Sequence, residues 1–135
     1  MIRVTTEPLD IAQHEKEVAD PRAGAVVSFA GVVRDHDHGR AVTALTYEAH
    51  PSAEDVLREV VAEIASDPDV YAVAVSHRYG PLAIGEVALA AAVSTAHRAA
   101  AFNACAHLVD LVKQRIPIWK HQRFADGTEE WVNCP

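Results

Sequence analysis

The amino-acid sequence predicts a single-domain α+β fold with a mixed, largely antiparallel sheet and two long helices. Its 135 residues suit one domain, and half of them are apolar while 23% are charged, as is usual for globular proteins. Runs rich in β-branched residues flank two long amphipathic patterns, and some of these runs follow one another without an intervening helix. This order favours an α+β domain over residues 1–135 rather than a doubly wound parallel sheet.

The first part of the chain is expected to be mostly strands. The segment GAVVSFAGVV, residues 24–33, is rich in β-branched side chains and bounded by glycine and charge, which indicates a buried strand. The polar segment DHDHGR that follows indicates a turn or mobile loop at residues 35–40. The other elements expected here are strands at residues 3–6 and 42–49 and a short helix at residues 11–19.

Two long helices are predicted from apolar residues at helical spacing. The first covers residues 53–65, with Ser52 as its N-cap and acidic residues in its first turn. The second begins near Thr95 or His97 and ends before Pro117, because proline cannot donate its backbone N–H. The apolar face of the first contains Val56, Leu57, Val60, Val61 and Ile64, and that of the second Phe102, Cys105, Val109, Val112 and Ile116.

Four more strand segments complete the prediction. Residues 70–77 and 87–95 are separated by glycine and proline breaks, and the alanines of the second run give it one small face that another element can approach closely. After the second long helix, PIWKHQRF predicts a strand, and the turn at residues 126–128 leads into a last strand, EEWV.

Composition and charge exclude several classes of protein. No apolar run is long enough to span a membrane, and the first residues do not resemble a secretion signal, so a cytoplasmic protein is expected. The formal charge of −7 disfavours nucleic-acid binding. Four basic residues and no acidic one nevertheless fall within residues 111–125, and this local cationic segment could hold an anion. They are Lys113, Arg115, Lys120 and Arg123.

The start of the second long helix is a candidate anion site. Arg98 projects onto the same helical face as Phe102 and Cys105, which predicts that its guanidinium points into a pocket. His97 lies beside it, and the free backbone N–H groups of a helix N-terminus favour a negative ligand such as phosphate. The alternative is that Arg98 pairs with a nearby carboxylate while His97 helps to cap the helix.

Lys113 and Lys120 are a candidate catalytic pair. Lys113 lies on the border of the apolar stripe, and one proline turn separates it from Lys120, so a chain reversal could bring the two amines together. Neighbouring cations lower the proton affinity of a lysine, and a neutral amine can act as a nucleophile or a general base. The alternative is that Lys113 favours the negative helix C-terminus and Lys120 protects an edge strand.

A possible metal site and a possible reactive thiol are both interpreted as non-functional. The adjacent ligands of the loop at residues 35–40 cannot easily surround an ion, so no metal is expected there. Cys105 lies in the middle of the apolar stripe and is expected to be a buried structural thiol. Cys134 is expected to be an exposed thiol near the end of the chain.

Several ordered segments resemble the large, catalytic subunit family of molybdopterin synthase. They are GAVVSFAGVVRDHDHGRAV, LTYEAH, SHRYGPLAIGE and STAHRAAAFNACAHLVDLVKQRIPIWKHQRF, which together run from about residue 24 to residue 132. The resemblance implies an α/β hammerhead type fold and a homodimer that docks a small ubiquitin-like sulfur carrier on each subunit, giving a heterotetramer. It also implies a sulfurtransferase reaction without a cofactor: sulfur passes from the carrier's C-terminal Gly-Gly thiocarboxylate to cyclic pyranopterin monophosphate, forming the dithiolene of molybdopterin.

The resemblance also implies roles for particular residues. Lys113 and Lys120 correspond to catalytic positions, and His97 and Arg98 could reach the site of the partner in a dimer. Two departures from the family pattern affect details. His121 and Gln122 stand where relatives usually have a basic residue and a glutamate, so an acidic role at that position is in doubt. Many relatives extend beyond the final tryptophan segment, and a contribution from such a tail cannot be assumed here. The competing interpretation is a non-catalytic module that binds an anion or a ubiquitin-like tail. The substrate-binding positions implied are Val32, Val33, Arg34, His97, Arg98, Lys113, Lys120, His121 and Gln122.

Overall fold

A computed structural model describes residues 1–133, which form three helices and nine strands. No helix within this range is long and apolar enough to cross a membrane. The two long helices are α2 and α3, as predicted. The elements in chain order are β1 (Ile2–Thr5), α1 (Ile11–Glu17), β2 (Ala25–Val32), β3 (His36–Asp37), β4 (Arg40–Ala49), α2 (Ala53–Ala65), β5 (Val70–Arg78), β6 (Gly80–Leu82), β7 (Val87–Thr95), α3 (Arg98–Arg115), β8 (Ile118–Phe124) and β9 (Glu129–Asn133).

The first sheet has four strands in the order β1-β5-β7-β2, and the helices cover both of its faces. Only β1 and β5 are parallel; β5 with β7 and β7 with β2 are antiparallel. Helices α2 and α3 pack on one face around a core that includes Leu57 and Leu108. On the other face, Val18 at the end of α1 packs against Ala74 and Ala92, as the alanine-rich face of the predicted strand allows.

The second sheet is antiparallel and has β4 at its centre. Strand β8 pairs with one edge of β4, β9 extends the sheet beyond β8, and the short strands β3 and β6 pair with β4 as well. The prediction of one sheet is therefore wrong in detail, although the α+β class and the mainly antiparallel pairing are confirmed. Alternation of apolar residues identifies strands but does not say which strands pair.

Strand β2 departs from the prediction because it is not buried. Its residues alternate between half-buried and exposed, and Val32 is 48% exposed. The strand lies at the edge of its sheet and pairs only with β7, so its outer edge has no strand partner among residues 1–133. A run of β-branched residues cannot by itself distinguish an edge strand from a central one.

Two details of the helices also differ from the prediction. Phe102 is 61% exposed although the predicted apolar stripe included it, and α3 instead buries Ala101, Ala104 and Leu108 along with the rest of that stripe. Ser52 precedes α2 but makes no side-chain cap, because its hydroxyl is 2.8 Å from Nδ1 of His50. The buried face of α2 otherwise follows the prediction.

Candidate active site

A cavity of about 240 Å³ lies where the ends of both sheets meet the end of α3. Strands of the first sheet form one wall, β4 and β8 of the second sheet form another, and the last turn of α3 contributes a lysine. The lining residues are Gly31, Val32, Val33, Arg34, His36, Leu45, Tyr47, His77, Ala88, Leu89, Lys113, Lys120 and Gln122. Six of these residues belong to the predicted binding set, so the fold brings together a large part of it.

Lys113 and Lys120 line this same cavity. Helix α3 ends at Arg115, and the chain reverses at Pro117 into β8, which returns Lys120 towards the last helical turn. Lys120 is half-buried, and this burial lowers the pKa of its ammonium, with smaller effects in the same direction from Arg34 and Lys113. The pair therefore combines two amines with an environment in which one of them loses its proton more readily.

Arg34 extends from the end of β2 into the mouth of the cavity. The strand end is fixed by two backbone hydrogen bonds with the turn before β7: the N–H of Val33 donates to Glu86, and the N–H of Gly85 donates to Val33. The guanidinium of Arg34 is largely exposed, and its Nη2 lies 3.4 Å from Oδ1 of Asp37. A cation that is anchored at its backbone and open to solvent is suited to bind a negative ligand.

Residues 121 and 122 lie on opposite faces of β8. Gln122 is buried, lines the cavity and donates from Nε2 to Oδ2 of Asp37 at 2.8 Å. His121 faces away from the cavity and stacks on Trp131, with ring centroids 4.6 Å apart. Successive residues of a strand point to opposite faces, so β8 brings Gln122 and not His121 to this cavity.

His97 and Arg98 do not reach the cavity of their own chain. Both are exposed at the start of α3, and neither lines the cavity. Fifteen residues separate Arg98 from Lys113, which is about 22 Å along a helix, so the two cannot contact one small cavity in the same chain. Arg98 is exposed beside Phe102 in the single chain, and the expectation that its guanidinium enters a pocket stays a prediction that concerns the dimer.

His77 is a cavity residue that the sequence did not indicate. It is fully buried, its Nδ1 lies 2.8 Å from the carbonyl oxygen of Arg78, and its ring packs edge-on against Tyr47. Burial, together with the positive charge of Lys113, lowers the pKa of His77 to about 4. The imidazole is thus neutral at pH 7, and its Nε2 has no hydrogen-bond partner. The sequence could identify His77 as a site residue only if the position of the end of β5 beside the cavity were already known.

The polar segment at residues 35–40 was a candidate metal site that the sequence analysis interpreted as non-functional. The loop at residues 35–40 is a tight hairpin between β3 and β4, with His38 and Gly39 in the left-handed region. Within residues 1–133 no group of three or more histidine, cysteine or acidic side chains is placed to hold a metal ion.

Cys105 is buried, as predicted, and burial raises the pKa of its thiol. The prediction for Cys134 falls outside the described residues.

The sequence is similar to those of several curated proteins. The chain is 39% identical to molybdopterin synthase catalytic subunit 1 of Mycobacterium tuberculosis, over 96% of this chain and 88% of that protein. It is 38% identical to the molybdopterin synthase catalytic subunit of Arabidopsis thaliana over 91% of its length, but it spans only 62% of that longer protein.

Solved structures show the same fold. A molybdopterin synthase structure from Staphylococcus aureus superposes with a TM-score of 0.88 at 33% identity, covering 96% of this chain and 95% of that one. A complex of subunits 1 and 2 of molybdopterin-converting factor from Helicobacter pylori gives a TM-score of 0.75 at 17% identity, covering 98% of this chain and 90% of that one, and this likeness concerns the fold alone. The model of the MoaE protein family matches residues 4–115. The chain therefore belongs to the MoaE protein family.

Proposed function

We propose that this chain is the catalytic subunit of a molybdopterin synthase, a sulfurtransferase of molybdenum cofactor biosynthesis. It transfers sulfur from the C-terminal thiocarboxylate of a small ubiquitin-like carrier subunit to cyclic pyranopterin monophosphate, which forms the dithiolene of molybdopterin. The observation that carries the proposal is the convergence of Lys113, Lys120 and Arg34 on one cavity. Both reactants are anions, and three cations at one cavity suit them.

Each of these cations has a distinct role in the proposed reaction. Arg34, open to solvent at the end of β2, binds the phosphate of the precursor. Lys120, whose pKa is lowered mainly by burial, assists attack of the sulfur on the pterin, because a neutral amine can accept a proton. Lys113, which lines the same cavity, stabilises the negative charge that develops during transfer. No redox or metal cofactor is assigned to the reaction.

The carrier subunit and a second copy of the chain complete the proposed assembly. A Gly-Gly tail has no side chains, so it can enter a cavity of about 240 Å³ in extended form and bring its thiocarboxylate to the lysines. The Helicobacter pylori protein that shares this fold is described in a complex of two subunits of one factor, and the pairing of this chain with a carrier is proposed by analogy with that complex. The resulting heterotetramer has a homodimer of this chain at its centre.

The exposed surface between β2 and α3 supports the homodimer. Phe102 borders an apolar groove there, about 440 Å³ in volume, whose other lining residues include Phe29, Cys105 and Val109. Exposed apolar surface of this kind is usually covered by a partner. Arg98 begins α3 one turn before Phe102. In the proposed dimer, His97 and Arg98 reach the anion site of the other copy, as the resemblance implies.

The test of the proposed function is sulfur transfer by variants of the two lysines. Purified chain is mixed with thiocarboxylated carrier and cyclic pyranopterin monophosphate, and molybdopterin is measured after conversion to a fluorescent derivative. Lys113→Ala and Lys120→Ala should fold normally but lose about 10² to 10³ in rate, by analogy with the loss of an oxyanion donor. Lys16→Ala, which removes an exposed lysine of α1, is the matched control and should keep full activity. Full activity in both cavity variants would favour the non-catalytic binding module instead.

A further inference from the structure

The end of β2 is held by a turn and not by regular strand pairing. The register of β2 against β7 shifts just before Val32, and the ladder ends at that residue. Beyond it, the N–H of Val33 donates to the carbonyl oxygen of Glu86 at 2.9 Å, and the N–H of Gly85 donates to that of Val33 at 2.8 Å. Arg34 comes next, and its side chain is 63% exposed. The direction in which Arg34 leaves the sheet therefore depends on the turn at residues 83–86.

The side chain of Glu86 closes this turn and also reaches out of it. Its Oε1 accepts a hydrogen bond from the backbone N–H of Ala83 at 2.6 Å, and its Oε2 lies 2.7 Å from Nη1 of Arg78 in an ion pair. Both contacts lower the pKa of Glu86, so the carboxylate is negative at pH 7. One oxygen of the carboxylate thus serves the turn, and the other joins the turn to the end of β5.

Arg78 connects the turn to two further parts of the first sheet. It is the last residue of β5, and its side chain is only 13% exposed. Its Nε donates to the carbonyl oxygen of Thr6, just after β1, at 3.1 Å, and its own carbonyl oxygen lies 2.8 Å from Nδ1 of His77 in the cavity wall. Because β7 lies between β5 and β2, strand pairing does not join the ends of β5 and β2 directly. The ion pair supplies that connection.

We propose that Arg78 and Glu86 are positioning residues: their ion pair fixes the turn at residues 83–86, and the turn fixes the direction in which Arg34 enters the mouth of the cavity. Neither of the two lines the cavity, so both act through Arg34. An exposed arginine loses freedom when it binds an anion, and a backbone that is already anchored reduces this loss. The consequence for substrate binding rests on the proposed function, in which Arg34 binds phosphate, but the anchoring itself does not.

Amide hydrogen exchange tests the anchoring without any ligand. Glu86→Gln keeps an oxygen acceptor for the N–H of Ala83, but its NH₂ group then faces the guanidinium of Arg78, donor against donor. The variant therefore breaks the ion pair and leaves the turn able to close. Exchange at the amides of Val33 and Gly85, followed by NMR, should become at least about threefold faster. Unchanged exchange at both amides overturns the proposal.

A second ion pair of the same chain provides the matched control. Glu54→Gln removes a carboxylate that pairs with Arg58 at 3.2 Å on α2, and it should leave exchange at the two turn amides unchanged. Arg78→Gln removes the other partner of the proposed pair and should accelerate exchange at the same two amides as Glu86→Gln. An equal acceleration in Glu54→Gln indicates general loosening of the fold and overturns the proposal.

Binding of the precursor connects the anchoring with the site. In calorimetry with cyclic pyranopterin monophosphate, Arg34→Ala should weaken binding by at least about tenfold, as expected for a lost charged hydrogen bond. Glu86→Gln should weaken it by at least about threefold at an unchanged urea midpoint. A chain that carries both substitutions should bind as Arg34→Ala does, because Glu86 acts through Arg34.

Failure of this proposal and failure of the proposed function give different results. If Arg34→Ala leaves the affinity unchanged, the phosphate role of Arg34 in the proposed function is wrong, and hydrogen exchange alone decides whether the ion pair anchors the end of β2. If Arg34→Ala weakens binding but Glu86→Gln does not, the positioning role is overturned. The same holds if Glu86→Gln causes an equal loss of affinity with and without Arg34.

Discussion

The buried imidazole of His77 should make the stability of the protein depend on pH below neutrality. Its pKa is about 4 in the folded chain, against 6.5 for an unperturbed histidine, mainly because burial disfavours the charged form. Between these two values the unfolded chain binds more protons than the folded chain, so the free energy of unfolding decreases as the pH decreases. The stabilisation attributable to neutral His77 is fully present above about pH 6.5 and is lost as the pH falls towards 4.

The size of the effect follows from the two pKa values. Each unit of difference between the folded and unfolded pKa values corresponds to ~1.36 kcal/mol of unfolding free energy, so the difference between 6.5 and about 4 represents about 3 kcal/mol. Of this, about 2 kcal/mol is lost between pH 7.5 and pH 5. Such a loss is a large part of the stability of a domain of this size, which is roughly 5–15 kcal/mol.

The assay is urea unfolding at pH 7.5 and pH 5, followed by circular dichroism. His77→Gln removes the titrating group, so the difference in unfolding free energy between the two pH values should shrink by about 2 kcal/mol relative to the wild-type chain. His50→Gln removes an exposed imidazole instead and should keep the wild-type difference. If His77→Gln shows the same difference as the wild-type chain, the imidazole is not buried in its neutral form and the description of this wall of the cavity is wrong.

Three further predictions concern the dimer, the anion site and the loop. Phe102→Asp places a charge on the exposed groove and should convert dimers to monomers in light scattering without changing the circular dichroism spectrum; persistent dimers at micromolar concentration would move the interface elsewhere. Arg98→Ala should weaken precursor binding in calorimetry by about 1.5 to 3 kcal/mol, the value of a charged hydrogen bond, and unchanged affinity would remove Arg98 from the phosphate site. Protein purified without added metal should contain none in the loop at residues 35–40, a prediction that stoichiometric zinc or nickel would refute.

The sequence predicted those parts of the fold that depend on local pattern. The helix break before Pro117 and the strand after it follow from the chemistry of proline and from alternation, and together they place Lys113 and Lys120 at one cavity. The edge position of β2 and the exposure of Phe102 were not predicted, because they depend on which strands pair and on what covers a surface. The spacing of apolar residues in the sequence does not say which strands pair or which surface is covered.

The site was predictable only where the chain itself carries a motif. Arg34 and the two lysines stand in recognisable segments, whereas His77 becomes part of the site only through the way that distant strands pair. Asp37 accepts a hydrogen bond from Gln122 across 85 residues of sequence, and this contact forms because β3 and β8 belong to one sheet, with β4 between them. His121 follows Lys120 directly in the sequence but faces away from the cavity and stacks on Trp131, so nearness in sequence does not predict a place in the site.

The most direct test of the proposed catalytic role is single-turnover sulfur transfer by Lys113→Arg and Lys120→Arg. Arginine keeps the positive charge but does not readily release a proton, so it separates attraction of the anions from the chemistry of an amine. With saturating thiocarboxylated carrier and precursor, we expect both variants to bind the carrier nearly as well as the wild-type chain. We expect Lys120→Arg to form molybdopterin slower by about 10² or more, which corresponds to ~3 kcal/mol in the transition state. Molybdopterin formation by Lys120→Arg at the wild-type rate would contradict the assignment of this lysine as the amine that takes part in sulfur transfer.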